Sequence, residues 1–283
     1  MKTFFAMLVA ALPLMATAQN GPKVYRSLES ALKTPDAVKV LNLSDSRLTA
    51  VPKEVALLPN LEELILFNNR ITNLSATPEL FGCRKLKVLN LFKNNISVLP
   101  AEIGQLTELR ELTLGSNLLD SVSPEIGRLT NLVRLSLQYN YLFTLPATIG
   151  NLTNVRELRL NNNNLLSIPD ELTQMTNIEL LNIAQNRLDS IPRRIGDLKK
   201  LKFFYLSYNR IPVLPPSLCD LTSLQELDLV RTGIFRVPDD LQYLQRLDRI
   251  YIDERTLVPF TRPRTNRKII VIEPGNIIPY RTL

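Results

Sequence analysis

Residues 86–96 read Leu86-Lys-Val-Leu89-Asn-Leu91-Phe-Lys-Asn94-Asn-Ile96, with apolar residues at the first, fourth, sixth and eleventh positions and asparagine at the ninth. The same eleven-residue phrase occurs ten times, and its copies are 23 residues apart except for one step of 25. A period of this length is typical of a solenoid, in which each repeat packs only against its neighbours. The copies begin at Val38, Leu61, Leu86, Leu109, Leu132, Val155, Ile178, Leu201, Leu224 and Leu247.

Each phrase predicts a short strand with two different faces. Side chains alternate along a strand, so the fourth and sixth positions form the core while the third, fifth and seventh face the other way. Ten strands that follow one another in the same direction predict a parallel ladder about 48 Å long. Asparagine at the ninth position satisfies backbone groups where the chain turns, so we interpret it as structural.

The return path between strands is also patterned, as in Leu99-Pro100-Ala-Glu-Ile103-Gly104-Gln-Leu106. Its proline fixes φ and removes a donor, which favours extended or turn-like backbone over a long helix. Single glycines occur between the strands, for example Gly127, and a turn at each would explain them.

The phrase and its return path resemble the leucine-rich repeat family, and the resemblance covers most of the chain. The "LPxxIGxL" form is similar to the typical 23-residue class, found in bacterial and intracellular signalling proteins, and here we infer its exported bacterial type. The resemblance implies an α/β-type repeat solenoid, an arc or horseshoe with a parallel β-sheet on its concave face. Short turns, extended pieces or 3-10 segments are then expected on the convex face. The resemblance is specific for fold and weak for function, because such repeats carry many unrelated ligands.

The first 18 residues have the pattern of an export signal. Lys2 is followed by an apolar run over residues 4–14 and then by Ala16-Thr17-Ala18, after which cleavage would leave Gln19 at the N-terminus. The run is shorter than the roughly 20 residues that cross a bilayer. We therefore expect an exported protein, secreted, periplasmic or at the cell surface, with no integral membrane segment after leader cleavage.

Four segments are predicted: a signal peptide over 1–18, an N-terminal helical cap over 19–37, ten leucine-rich repeats over 38–260, and a basic tail over 261–283. Leu28, Ala31 and Leu32 have helical spacing before Pro35, which predicts a short helix from Ser27 to Lys33. In the tail, the β-branched run Lys268–Glu273 predicts a strand that covers the open edge of the ladder, with irregular coil as the alternative.

Charge and composition exclude several classes of function and several kinds of site. The net charge is +7, but residues 255–283 carry +5 of it, so the repeat body is nearly neutral and a nucleic-acid partner is not expected. The absence of histidine excludes Ser-His-Asp and Cys-His catalysis. Cys83 and Cys219 lie six repeats apart, about 29 Å, which is too far for a disulfide. We expect no cofactor and no enzyme activity.

Carboxylate side chains are the remaining candidates for catalysis or metal binding. Glu226, Asp228, Asp253 and Glu254 converge on the last two strands and suggest a catalytic or calcium site. Arginines lie beside them, and Glu111, Arg134 and Glu157 alternate on consecutive strands, so cross-strand ion pairs explain these charges better.

Aromatic side chains on the concave face are the candidate binding residues. Tyrosine and phenylalanine on a rigid sheet supply a large contact area at low entropic cost, and groups of them on a curved face indicate an interface. The candidates are Ile65, Phe67, Phe92, Tyr139, Phe203, Tyr205, Tyr208 and Tyr251.

These residues favour a monomeric, non-enzymatic recognition protein that binds a protein partner in the concave sheet. Carbohydrate or cell-surface binding is the first alternative, since aromatic rings stack on sugars and amides bind hydroxyl groups. A cytoplasmic scaffold for signalling GTPases, as the resemblance suggests, becomes the alternative if the leader is misread. The amides are those of Asn90, Asn161, Asn162, Asn182 and Gln185.

Overall fold

The computed structural model describes residues 22–259, 268–273 and 276–279, and in the last two segments it describes the backbone alone. In these residues, thirteen strands form one sheet in chain order, β1 to β13. Neighbouring strands are parallel throughout except for the last pair, which is antiparallel. The strands are β1 Val24–Tyr25, β2 Val40–Asn42, β3 Glu63–Ile65, β4 Val88–Asn90, β5 Glu111–Thr113, β6 Arg134–Ser136, β7 Glu157–Arg159, β8 Leu180–Asn182, β9 Phe203–Tyr205, β10 Glu226–Asp228, β11 Arg249–Asp253, β12 Lys268–Glu273 and β13 Asn276–Pro279.

The core is one continuous apolar cluster that extends from Tyr25 to Ile252. Leu89 and Leu91, at the fourth and sixth positions of their phrase, are fully buried, while Val88 and Asn90 beside them are half-buried. The predicted assignment of faces is therefore confirmed. Every repeat adds its leucines to the cores of both neighbours, which makes the array cooperative.

The buried asparagines connect successive repeats. Asn94 donates from Nδ2 to the carbonyls of Leu66 and Leu91 at 3.0 and 3.1 Å, and its Oδ1 accepts from the N–H of Ile71 at 3.0 Å. Six equivalents make the same three kinds of contact and thereby satisfy backbone groups that water cannot reach. They are Asn69, Asn117, Asn140, Asn163, Asn186 and Asn209.

Short 3-10 helices form the convex side. Pro100, Pro146 and Pro215 stand at the N-caps of their segments with φ near −70°, a value that the pyrrolidine ring favours. Each segment has room for about one turn, as a 23-residue repeat requires. The segments are Pro35–Ala37, Lys53–Leu57, Pro78–Gly82, Ala101–Gln105, Pro124–Arg128, Ala147–Asn151, Asp170–Gln174, Ile195–Asp197, Pro216–Asp220 and Asp239–Tyr243.

Both ends of the ladder carry additional elements. The helix α1 spans Leu28–Leu32 within the region where a helix is predicted, and Ser27 caps it by accepting from the N–H of Ser30. The strand β1, which the sequence did not predict, pairs parallel with β2. At the other end β12 occupies the predicted run and pairs parallel with β11, and β13 then folds back on β12. The predicted signal peptide and most of the basic tail lie outside the described residues.

The one 25-residue step is absorbed on the convex side between β3 and β4. Thr77 is buried there and donates its hydroxyl to the carbonyl of Val51 at 2.9 Å. Phe81, four residues later, is buried in the core. The two extra residues therefore leave the pairing of β3 with β4 in register.

Candidate functional site

The first group of aromatic candidates lies at the N-terminal part of the concave sheet. The rings of Phe67 and Phe92 stack with centroids 5.9 Å apart and planes 16° apart. Ile65 is half-buried on the adjoining strand β3. We call these three residues the N-terminal apolar cluster; its two rings stack on each other and remain half-exposed, so that they could contact an apolar group of a partner.

A glycine in the next repeat leaves space for this cluster. A Cβ placed on Gly115 would lie 2.8 Å from the Phe92 ring and 3.0 Å from the Gln138 side chain. The backbone N–H of Phe92 donates to Asn90 Oδ1 at 3.0 Å, which holds the turn that carries the ring. The position of Phe92 thus depends on a small neighbour as well as on its own repeat.

The second group, which we call the C-terminal tyrosine cluster, comprises Phe203, Tyr205, Tyr208 and Tyr251. Strand register places Asp228 of β10 between Tyr205 of β9 and Tyr251 of β11. Beside this row, Glu226 lies between Phe203 and Arg249. The cluster therefore combines aromatic rings with two carboxyl groups that lie two residues apart on one strand.

Burial alters the titration of this cluster. It raises the pKa of Asp228 to about 6, although hydrogen bonds from the Ser207 hydroxyl and the Val230 N–H oppose the rise. Burial also raises the pKa of Tyr205 and Tyr251 above the usual tyrosine value, and the negative charge of Glu226 adds to both shifts. At neutral pH both tyrosines are therefore hydroxyl donors, and the raised pKa of Asp228 is close to neutrality.

Three of the four acidic candidates on the last strands have partners within the protein. Glu226 is buried, forms an ion pair with Arg249 at 2.9 Å and accepts a hydrogen bond from Tyr205. Asp253 accepts from the N–H of Arg231 at 2.8 Å. Among the described residues, no three cysteine, aspartate or glutamate side chains are placed to hold a metal ion. Among the described residues the ion-pair interpretation is therefore confirmed for Glu226, whereas the printed partners of Asp228 and Asp253 are hydroxyl or backbone N–H groups.

Two of the candidate tyrosines lie in turns rather than in strands. Tyr139 and Tyr208 follow β6 and β9, and both have φ of 57°, in the left-handed region that bulky residues disfavour. Tyr208 lies against the Arg231 guanidinium, 5.2 Å from ring centroid to Cζ. Tyr139 is exposed at the rim of the sheet. Tyr139 lies between the two clusters along the sequence and belongs to neither of them.

Charged rows separate the two clusters. Arg134 pairs with Glu111 on the neighbouring strand, but Glu157 pairs with Arg159 on its own strand. The predicted cross-strand alternation therefore holds for one pair only. A second row of charges, at the second position of the phrase, was not considered from the sequence. There Glu179 forms ion pairs with Arg156 and Lys202 on the two neighbouring repeats. The hydrogen bond from Lys202 lowers the pKa of Glu179.

Comparison with protein families identifies the repeats. The model described as leucine-rich repeat region matches residues 79–192, and the model described as leucine rich repeat matches residues 36–96 and 176–234. Together these matches cover the ladder from β2 to β10. The chain belongs to the leucine-rich repeat family. No curated protein matches it.

Solved leucine-rich repeat structures resemble this repeat protein over most of its length. A leucine-rich repeat protein of Leptospira interrogans is 29% identical, with a TM-score of 0.58 over 82% of this chain and 71% of the other. The ectodomain of the receptor kinase GASSHO1/SCHENGEN3 of Arabidopsis thaliana is 30% identical, with a TM-score of 0.69 over 77% of this chain. The plant peptide hormone receptor RGFR1 is 25% identical, with a TM-score of 0.63 over 84% of this chain. This chain spans 28% and 43% of the two plant proteins.

The amide candidates of this leucine-rich repeat protein differ in their availability. Asn90 and Asn182 use Oδ1 to accept from the N–H two residues further on, those of Phe92 and Ala184. Asn42 and Asp228 make the same contact in their repeats. The side chain at the fifth position therefore often accepts a hydrogen bond from the turn after the strand. At Asn90 and Asn182 the Oδ1 atom is used in this way, which leaves the Nδ2 group to donate to a ligand.

Neither cysteine is placed for reactivity. Cys83 and Cys219 are both free thiols, and burial raises the pKa of each to about 11. A thiol with so high a pKa is a poor nucleophile at neutral pH.

No helix in the described ranges has the length and apolar character to cross a membrane.

Proposed function

We propose that this chain is an exported, non-enzymatic recognition protein that binds a protein partner across its concave sheet. The observation that carries the proposal is the grouping of half-buried aromatic side chains into two clusters on one rigid sheet. Leucine-rich repeats are commonly used for protein recognition, and they supply a preorganised surface that loses little entropy on binding.

The spacing of the clusters suggests the form of the partner. Phe92 and Tyr205 stand on strands five rungs apart, which is about 24 Å at the spacing of parallel strands. An extended chain covers that distance in about seven residues. Between the clusters lie the ion pairs of Glu111 with Arg134 and of Glu157 with Arg159. A partner with two apolar anchors and a polar centre matches this order.

The structural relatives support a peptide-like partner. Among the plant receptors similar to this chain, RGFR1 was solved with RGF2, and HAESA of Arabidopsis was solved with the peptide hormone IDA and the co-receptor SERK1. HAESA is 27% identical over 75% of this chain. We infer that this chain likewise holds an extended segment of another protein.

The test uses two double variants, Phe67→Ala with Phe92→Ala and Phe203→Ala with Tyr205→Ala. Each should lose at least tenfold in affinity for proteins captured from envelope or culture fractions, because aromatic anchors contribute most of an interface's binding energy. Tyr243→Ala is the matched control, since Tyr243 is exposed at the end of a convex 3-10 segment. Capture that is unchanged in both double variants, with intact circular dichroism, would exclude the concave face.

A glycan array separates the carbohydrate alternative. Binding to defined oligosaccharides that Tyr205→Ala abolishes would favour sugar recognition at the C-terminal tyrosine cluster. An array without signal would leave the protein partner as the ligand class. Mass spectrometry of the protein from its native fractions tests export, for which a mature N-terminus at Gln19 is expected.

A further inference from the structure

A carboxylate in the C-terminal tyrosine cluster stands where other repeats use a neutral amide. Asp228 Oδ1 accepts from the Val230 N–H at 3.1 Å. Asn42, Asn90 and Asn182 occupy the same position of their phrases and make the same contact at 3.0 to 3.1 Å. The turn after the strand therefore requires an acceptor oxygen but no charge. The hydrogen bond within its own repeat does not explain the charge of Asp228.

No cationic side chain neutralises this carboxylate. Asp228 forms no ion pair within the part of the chain that the structure describes. The nearby Arg249 guanidinium pairs with Glu226 at 2.9 Å, and that of Arg231 lies over a tyrosine ring. The charged side chains with the largest effect on the pKa of Asp228, Glu226 and Asp253, are both negative. The carboxylate thus lies in a region of negative charge.

Two tyrosines flank the carboxylate on the concave face. Strand register places Tyr205 on one side of Asp228 and Tyr251 on the other, and their strands are two rungs apart, about 10 Å. All three residues are half-buried, so each is partly open to solvent. A carboxylate has about four acceptor sites, and the Ser207 hydroxyl and the Val230 N–H use two of them. Acceptor capacity therefore remains beside aromatic rings, whose faces attract cations.

This set of groups fits an ammonium ion better than the other common cations. Calcium and magnesium take six or more oxygen ligands, and the described residues bring no three acidic side chains together. A guanidinium binds best when both carboxylate oxygens are free to accept in parallel, but Asp228 Oδ1 is already used by the Val230 N–H. An ammonium is a point charge that needs one carboxylate oxygen. The hydrocarbon stem of a lysine also packs well against aromatic rings.

We propose that the C-terminal tyrosine cluster binds a lysine side chain of the partner, whose ammonium pairs with Asp228 while its stem lies between Tyr205 and Tyr251. This assignment rests on the proposed function, because it names the ligand of one of the two clusters on the concave face. The charge that the fold does not need is then used in recognition. A residue kept at a cost to stability is typical of a functional site.

The first test selects ligands for this cluster with a random twelve-residue peptide library displayed on phage. The library is panned on the full chain after subtraction on the double variant Phe203→Ala with Tyr205→Ala, whose fold circular dichroism checks. A lysine should recur in the enriched peptides. Peptides that depend on the cluster but share no lysine would overturn the assignment and leave the proposed function standing. If no peptide depends on the cluster, both fail.

The second test measures one enriched peptide by fluorescence polarisation. Asp228→Asn should weaken its binding at least tenfold, although the variant keeps the hydrogen bond to the Val230 N–H. Replacing the peptide lysine by norleucine should cause a similar loss, and the two changes together should cost no more than either alone. Asp120→Asn, which removes an exposed carboxylate outside the strands, is the matched control and should bind as the wild type does. Full affinity in Asp228→Asn, or losses that add, would show that the lysine does not pair with Asp228.

The pH dependence of the same binding separates the charge from the shape of the cluster. With any acidic residue of the peptide replaced by its amide, wild-type affinity should fall about tenfold from pH 7.5 to pH 5, because a carboxyl with a pKa of about 6 is then mostly protonated. The Asp228→Asn variant should show little change, and a wild-type affinity that is constant with pH would overturn the assignment. This variant retains the other charged and titratable groups around the position, which are Glu226 on the same strand, Tyr205 on β9, Arg231 in the following turn, and Arg249, Tyr251 and Asp253 on β11.

Discussion

Some side chains of this protein form hydrogen bonds that stabilise the backbone, and others are exposed on the surface. Two neighbouring asparagines show the difference. Asn94 is buried and makes three hydrogen bonds to two repeats, whereas Asn95 is exposed and holds its place through its backbone N–H. The same residue type is therefore structural at one position and replaceable at the next.

Replacing Asn94 should be far more costly than replacing Asn95. Asn94→Ala leaves two buried carbonyls and one N–H with fewer partners, each costing about 1–3 kcal/mol, so we expect a loss of about 3–5 kcal/mol in unfolding free energy. Asn95→Ala should change it by less than about 0.5 kcal/mol, as for other surface substitutions. Urea denaturation of both variants measures the difference, and equal midpoints would contradict the assigned roles.

Asp228 occupies a position where other repeats use asparagine for the same contact to the turn. Its pKa is about 6 in the fold, above its ordinary value of 3.8, so folding disfavours the charged form. The resulting loss of stability is complete above about pH 6 and disappears as the pH falls toward 4, where the unfolded chain is also protonated. A carboxyl group kept here reduces stability at neutral pH.

Asp228→Asn should therefore stabilise the protein at pH 7.5 by about 1–3 kcal/mol, since it keeps the hydrogen bond to the Val230 N–H and removes the buried charge. The gain should diminish as the pH approaches 4. Thermal melts of the variant and the wild type across this range provide the measurement. A gain that is constant with pH would show that titration of Asp228 is not its origin.

Segments on the convex side pack more tightly than the sequence suggested. Turns were the expected reason for the single glycines there, but that explanation is wrong for Gly127, whose φ is not positive. A Cβ on Gly127 would lie 2.6 Å from the Thr148 carbonyl oxygen and 2.7 Å from Thr148 Cβ in the next repeat. This glycine allows two 3-10 segments to approach closely.

Gly127→Ala should thus destabilise the array, by about 1–3 kcal/mol as for other overpacked sites. Gly82 ends a similar 3-10 segment, and a Cβ there would meet nothing within 4 Å. Gly82→Ala serves as the control and should be neutral or slightly stabilising. If calorimetry gives both variants the same melting temperature, close packing is not the reason for glycine at Gly127.

Considered whole, the molecule is a single ladder whose stability depends on covered ends. The helix α1 and strand β1 precede the first repeat, and β12 with β13 follows the last. An uncovered strand presents unpaired N–H and carbonyl groups to any other chain. Because β11 pairs with β12 through five residues, the C-terminal hairpin covers the edge of β11 and moves the end of the sheet to β13, a four-residue strand that ends in Pro279.

A chain that ends at residue 259 should self-associate. It lacks β12, so the edge of β11 becomes available for pairing between molecules. Light scattering should show oligomers or aggregates that increase with concentration, while a chain lacking only residues 280–283 should behave as the full chain does. A truncated chain that stays monomeric at high concentration would show that β11 needs no cover.

Much of the architecture follows from the period of the sequence. Leucines at fixed spacing can be buried only by stacking, and an asparagine after each strand can satisfy the turn, so Leu89, Leu91 and Asn94 predicted strand, core and ladder correctly. The aromatic candidates were also chosen from position alone, and their role in binding stays a prediction. Strand register follows the 23-residue step, which places Tyr205, Asp228 and Tyr251 in one row.

Other features were decided by the three-dimensional arrangement. The repeat pattern does not specify whether Glu157 pairs with Arg134 or Arg159, because side-chain conformation depends on the space around each group. The exposed side chains of Leu118 and Tyr141 were missed because the interpretation considered only strand positions, and both residues lie in the turns after their strands. Periodicity thus determines which residues must be buried, and packing between repeats decides what the remaining residues present to a partner.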